Sequence, residues 1–370
     1  MRYRFLQRCS KTSYIAAAVT LLVFCYLKFG LNGPDLGSDN EDDPSINFPI
    51  ARVEATRSLN VAIVIIVGDI QKARHDYRVA INTLECYAAM HNYPLKILST
   101  ESFSEVCSQK DFMFRRHCVV AEVLKESEWV LFIDADSAVV NPEILIEQYI
   151  DPRYDITLYD RFVNWEIAAG SYIVRNTPWA INFLKEFADF EKKLPESFHG
   201  TDNGAVHAFL QQNFMPSLKE HARVCMRIWE NSQSFKTLFL YEACIRSVMG
   251  DVRDLGKVRI LEKGRGWLRD VWLADSQWSA ERDFILHGLK EENLVKNSNI
   301  FRNILIPQFS WRNPLKENLN INECARRTQI WPYEESLRVS REIVEDHMRK
   351  RFVQVEKDRW NTLSNVARFI

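Results

Sequence analysis

Residues Val61 to Val67, VAIVIIV, form an apolar and mostly β-branched run without a single polar interruption. A strand with one wet face alternates apolar and polar side chains, so a run of this kind predicts a strand covered on both faces, in the middle of an α/β sheet. The segments after it extend that pattern. Val79, Leu84, Tyr87 and Ala88 recur at helical spacing within 74–91; Leu95 to Leu98 reads as a second strand, Phe112 to Lys125 as a second helix and Trp129 to Ile133 as a third strand. Strands alternating with helices imply parallel pairing through right-handed crossovers, and such a sheet takes ligands beyond its strand C-termini. Farther on, Ile156 to Tyr159 and Ser171 to Val174 are expected strands. Trp179 to Lys193 and Asp202 to Gln212 are expected helices, the second with Thr201 as N-cap. Phe284 to Leu286 is a last short strand, and the charged stretch 334–355 is a terminal helix.

The first sixty residues differ in kind. Arg2, Arg4, Arg8 and Lys11 precede an uncharged run from Thr12 to Leu27, and Asp35, Asp39, Glu41, Asp42 and Asp43 follow it. The run is long enough for a short span of a thin bilayer, and the charge asymmetry places the N-terminus in the cytosol. The expected layout is a cytoplasmic tail (1–11), a signal anchor (12–29), a flexible luminal stem (30–57), a catalytic domain (58–310) and a C-terminal helical extension (311–370). Such a chain is a single-pass type II protein of the Golgi or ER membrane; cleavage of the segment as a signal peptide would make it secreted.

With 48 basic and 49 acidic residues and no basic block in the body, nucleic acid is not an expected partner. Cys86, Cys107, Cys118, Cys225, Cys244 and Cys324 lie beyond the span. They allow disulfides, with 107/118 and 225/244 close in sequence, but spacing leaves the connectivity open. No Cys-x-x-Cys is present, so structural zinc is not expected.

Chemistry concentrates in WVLFIDADSAVVNP, where an apolar strand runs into Asp134-Ala135-Asp136. On an extended backbone the two aspartates project to one side, placing paired carboxylates at the sheet's mouth. Hard oxygen ligands suit Mn²⁺ or Mg²⁺, which neutralise a diphosphate leaving group. An isolated Asp-x-Asp is a common surface triplet; ending a buried strand, it reads as a metal site. FILHGLK, residues 284–290, supplies His287 as a third metal ligand, Gly288 for close approach to phosphate and Lys290 as a point charge. Ala169, Gly170 and Ser171 open a strand with small residues that let a sugar lie close to the backbone. Asp202 sits at a helix N-terminus, where capping and sugar binding are both open roles.

These segments together resemble the Golgi glycosyltransferases of GT-A fold, particularly the retaining galactosyl-, mannosyl- and xylosyltransferase family. The resemblance rests on His75-Asp76-Tyr77, Glu128-Trp129, Asp134-Ala135-Asp136, Gly170 through Arg175-Asn176, and His287-Gly288, and covers roughly residues 60–310. It is closer still to an uncharacterised, nematode-expanded family of such domains. It implies a mixed, mainly parallel sheet flanked by helices and a donor that is a nucleotide-diphosphate sugar. It also implies Mn²⁺ on Asp134, Asp136 and His287, with Lys290 on the donor diphosphate. Arg115 or Arg116 assists the donor by position, and Asp202 takes the place of an acidic residue beside donor sugar and acceptor. The implied reaction moves a hexose or pentose to a glycan, protein or lipid, with retention. Two departures bear on donor and acceptor identity: Thr201-Asp202-Asn203-Gly204 replaces an acidic-Gln element, and Glu291 follows Lys290. A catalytically silent, membrane-anchored glycan-binding or scaffold protein is the alternative from another class. A haloacid-dehalogenase-type phosphatase fits poorly, because its Asp-x-Asp belongs on the first strand and wants Thr or Val where Ala138 stands.

Overall fold

The computed structural model describes residues 59–295 and 309–369. The tail, anchor and stem expected from the sequence lie outside them, and among the described residues no helix is long and apolar enough to cross a membrane. The first half of the described chain runs β1 (Val61–Val67), α1 (Ile70–Asp76), α2 (Arg78–His91), β2 (Leu95–Ser99), α3 (Phe112–Val123), β3 (Trp129–Phe132), β4 (Ser137–Val139), β5 (Ile156–Tyr159) and β6 (Tyr172–Arg175). The second half contributes α4 (Pro178–Asp189), α5 (Thr201–Phe214), α6 (Lys219–Glu230), α7 (Phe235–Met249), β7 (Val258–Leu261), β8 (Leu268–Asp270), β9 (Ile285–His287), α8 (Ile321–Ala325) and α9 (Arg341–Leu363).

The fold is mixed α/β. Six strands form the main sheet in the order β2-β1-β3-β6-β5-β7, and β4-β9-β8 form a small second one. In the main sheet β6 alone is reversed: β1 is parallel to β2 and β3, β5 is parallel to β7, and β6 runs antiparallel to both β3 and β5. β1 shows why its sequence is uniformly apolar. Ala62, Val64 and Ile66 enter one core with α3 residues such as Val119 and Val123, whereas Ile63, Ile65 and Val67 enter another with Leu84 and Tyr87 of α2. With side chains alternating between two covered faces, every position is buried.

Local chemistry sets several boundaries differently from the sequence pattern. The helix expected over 74–91 is two helices that break at Tyr77, the first capped by the Asp69 side chain on the Lys72 N–H. α5 begins on Gly200 in the left-handed region, at φ +72°, so Thr201 is not the cap; its own φ is +52°, a strained value for a β-branched residue. The terminal helix sits later than expected, at Arg341–Leu363.

The chain after residue 310 joins the same cores: Trp311 packs with Ala138 and Leu286, and Leu315, Leu319 and Trp331 pack with β1 and α2 residues. Cys86 of α2 is disulfide-bonded to Cys324 of α8, and the two short pairs, Cys107–Cys118 and Cys225–Cys244, also form.

Candidate metal centre and cleft

β3 delivers Asp134, and a turn then carries the chain into β4. The Ser137 N–H donates to the Asp134 carbonyl at 3.2 Å, so Ala135 and Asp136 occupy a turn and not the extended backbone expected. The turn still gathers the acids, because β4 pairs antiparallel with β9 and sets Ser137 opposite His287. The Asp136 carbonyl also accepts the Gly288 and Leu289 N–H groups at 3.0 and 2.9 Å. Asp134, Asp136 and His287 each offer a ligand atom, all within 4.8 Å of one another.

The supporting groups were not legible in the sequence. Asp270 of β8 stands in register with His287 and accepts from its Nδ1 at 2.7 Å, which leaves Nε2, 3.3 Å from Asp136 Oδ1, facing the carboxylates. Arg161 donates to Asp270 at 3.1 Å and to Glu166 at 3.0 Å. A histidine held through one nitrogen by a carboxylate is the usual outer arrangement of a metal-bound imidazole. Burial opposes charge on His287, but the Asp136 charge outweighs it and raises its pKa to about 10. Burial pushes the Asp134 carboxyl up despite Arg116; for Asp136 the His287 charge prevails over burial and holds the carboxyl down. Two carboxylates and an imidazole whose Nε2 is turned toward them make a donor set that fits Mn²⁺ or Mg²⁺, with the cation taking the place of the Nε2 proton that pairs with Asp136.

Gly170 has a specific reason to be glycine. A Cβ there would stand 2.1 Å from Asp134 Oδ2, so the bare backbone is what lets that carboxylate occupy its place. The small residue at this position thus has the Asp134 carboxylate packed against it. Gly288 lines the cleft, and at φ +96° it also gives room to the Trp272 ring, 2.3 Å from where a Cβ would be.

Arg116 is buried and bridges two acids: Nη1 reaches Asp134 Oδ1 at 2.5 Å, and Nη2 reaches Asp202 Oδ2 at 2.6 Å. Burial disfavours its charge, but Asp134 and then Asp202 outweigh that and hold it protonated. Asp202 is 0% exposed and saturated, accepting also from His117 Nε2, the Asn203 N–H and the Thr201 hydroxyl. Burial would raise its carboxyl, yet the Arg116 charge and His117 keep it well below the ordinary range. Asp202 therefore reaches the site only through Arg116 and has no surface to present to a sugar or acceptor. Its neighbour Asn203 does face open space, with its oxygen committed to the Ala169 N–H at 3.0 Å and its NH₂ edge available. Arg115 also lines the cleft that the acids border, with its guanidinium bonded to the Gln109 carbonyl and Glu101.

Asp134, Asp136 and His287 border a cleft of about 1080 Å³ beyond the C-terminal ends of β1 and β3. Val67, Gly68 and Asp69 form one wall, and Trp272, Gly288 and Lys290 another. This is the position at which parallel α/β sheets bind ligands.

A family described as "Protein of unknown function, DUF273" matches residues 84–303. No curated protein matches the chain. Among solved structures, the crystal structure of a glycosyltransferase involved in the glycosylation of the major capsid of PBCV-1 is similar at 17% identity. That match covers 61% of this chain and 93% of the other with a TM-score of 0.35, a superposition too loose to carry a functional reading.

Proposed function

The chain belongs to the DUF273 family, and for it we propose metal-dependent transfer of a hexose or pentose from a nucleotide-diphosphate sugar to a glycan, protein or lipid acceptor, on a GT-A scaffold. The observation that carries this reading is the convergence of Asp134, Asp136 and His287 on one point at the floor of a nucleotide-sized cleft.

In this reading Asp134, Asp136 and His287 Nε2 hold Mn²⁺ or Mg²⁺, with Asp270 fixing the imidazole and Arg116 and Gly170 fixing Asp134. A cation held there would supply charge to neutralise the donor diphosphate as a leaving group. Lys290, on the cleft wall, adds a point charge for the same diphosphate. The bond from the anomeric carbon to the diphosphate oxygen breaks and a bond to the acceptor oxygen forms. The acceptor proton passes to the departing diphosphate, on the face that gives retention. Asp202 acts as a positioning residue for Arg116 and not on the reacting atoms. The three disulfides suit an oxidising compartment and support the reading of the body as entering the secretory pathway, anchored in the Golgi or ER membrane or secreted if the N-terminal segment is cleaved.

The test is release of nucleoside diphosphate from a panel of nucleotide sugars, with and without Mn²⁺, for the wild type and Asp136→Asn. The proposal predicts metal-dependent release from at least one donor and its loss in the variant. Release that persists in a folded Asp136→Asn protein would remove the metal site from the reaction.

A further inference from the structure

Arg116 is one of two neighbours on α3 that reach Asp202; the other, His117, takes no part in the function proposed above. Its imidazole is 0% exposed and boxed by aromatic rings, with the Phe187, Tyr172 and Phe132 centroids 4.6, 5.7 and 5.9 Å away. Such a site disfavours the imidazolium, and burial lowers the pKa of the ring. A neutral imidazole has one N–H and one bare nitrogen, so each neighbour must meet the nitrogen that suits it.

The neighbours decide which is which. Nε2 stands 3.1 Å from Asp202 Oδ2, a carboxylate that the Arg116 charge keeps ionised and that can only accept. Nδ1 stands 3.1 Å from the Tyr172 hydroxyl, which can donate. Only the Nε2–H tautomer satisfies both contacts; the other sets a lone pair against a carboxylate in a buried network. The bonds therefore run one way, from the Tyr172 hydroxyl to His117 and from His117 to Asp202 Oδ2. The same oxygen takes Arg116 Nη2 at 2.6 Å and Nε at 3.2 Å, and Arg116 Nη1 holds Asp134 Oδ1 at 2.5 Å. One strand pairing sets the relay beside the acid it serves: β6 places Tyr172 opposite Phe132 of β3, two positions before Asp134. Gly170, two positions before Tyr172, lies against the other oxygen of that carboxylate.

We infer that His117, held by Tyr172, is a positioning residue for Asp134: its Nε2–H fixes the Asp202 oxygen on which Arg116 rests, and so fixes the guanidinium that aims the first corner of the cluster. This role rests on the metal site proposed above. The experiment has two readouts on the full chain. Imidazole ¹⁵N resonances of the histidine-labelled, metal-free protein report the tautomer, with the His117 signal assigned by its loss in His117→Gln. Titration with Mn²⁺ reports the site, with thermal unfolding to show that each variant is folded. The wild-type proton is expected on Nε2. Mn²⁺ is expected to bind His117→Leu ~10-fold more weakly than wild type, and His117→Gln, whose amide restores a donor toward Asp202, within ~3-fold of it. Tyr172→Phe keeps the ring, removes only the hydroxyl that meets Nδ1, and is expected to weaken Mn²⁺ by ~3-fold; it reads the same relay where His117→Leu does not fold. A proton on Nδ1 in the wild type, equal losses in His117→Leu and His117→Gln, or wild-type Mn²⁺ affinity in a folded His117→Leu protein (in Tyr172→Phe where that variant does not fold) overturns the inference alone. Wild-type protein that binds no Mn²⁺ overturns the metal-site reading and the positioning role with it.

Discussion

Gly170→Ala isolates the contact that holds Asp134 in the proposed metal site. The backbone there lies outside the left-handed region, so alanine is conformationally permitted and any effect comes from the added methyl. That methyl would sit 2.1 Å from Oδ2 and 2.9 Å from Cγ of Asp134. To restore contact the carboxylate must retreat by roughly 1 Å, against the Arg116 ion pair on its other oxygen, at an overpacking cost of ~1–3 kcal/mol. Displacing one of three ligands is expected to weaken the metal by ~10–100-fold, the range seen when a ligand loses its support. The assay is Mn²⁺ titration followed by the spin resonance of the free ion, with thermal unfolding in parallel to show that the variant is folded. A folded Gly170→Ala protein with wild-type Mn²⁺ affinity would refute the placement of Asp134 in the metal site.

Other consequences follow from groups around the centre and away from it. Replacing Arg116 by Met leaves Asp202 buried without its main counter-charge and should cost ~3–5 kcal/mol by urea unfolding, with part recovered on adding Asp202→Asn. An additive double variant would contradict the bridge. His207 accepts the Ile167 N–H at Nε2 and is held neutral by burial and then by the Arg246 charge, which lower its pKa to about 4. Its folded pKa lies below the unfolded value, so the unfolded chain takes up the proton first. Stability is therefore complete above pH ~6.5 and falls by up to about 3 kcal/mol as the pH drops to 4. His207→Gln should flatten that slope, and an unchanged slope would show that other groups set it. Converting Cys86 and Cys324 to Ala opens a cross-link spanning 238 positions and should lower stability by up to about 5 kcal/mol on the loop-entropy account. A loss below ~1 kcal/mol by the same unfolding assay would argue against that account.

What could be read from the sequence was what local pattern encodes. The unbroken β1 run required two covered faces, and both exist; the acids ending β3 lie at the sheet mouth as their position required. The antiparallel β6 was not legible, because strand direction depends on which partners a strand meets and not on its composition. The third corner of the cluster, His287, lies about 150 positions from Asp136 and is joined to it by β4–β9 pairing, so FILHGLK and the resemblance could nominate the residue but not its partner strand. Asp270 and Arg161 carry no local signature at all: a single aspartate after Leu-Arg becomes meaningful only when β8 falls into register with β9. Asp202 misled for the opposite reason. A helix N-terminal acid reads as exposed, but Arg116 and His117 on α3 reach across and bury it. Gly170 and Gly288 were singled out for close approach by a ligand; a Cβ at either would also meet the protein's own atoms, Asp134 and Trp272, which no local pattern foretells.

The most direct test of the metal-held donor diphosphate is calorimetric titration of UDP and GDP into the purified protein with Mn²⁺ and again in chelator, for wild type and Asp136→Asn. The account predicts that one nucleotide binds only when the metal is present and only to the wild type. Equal affinity in chelator, or in a folded Asp136→Asn protein, would contradict it.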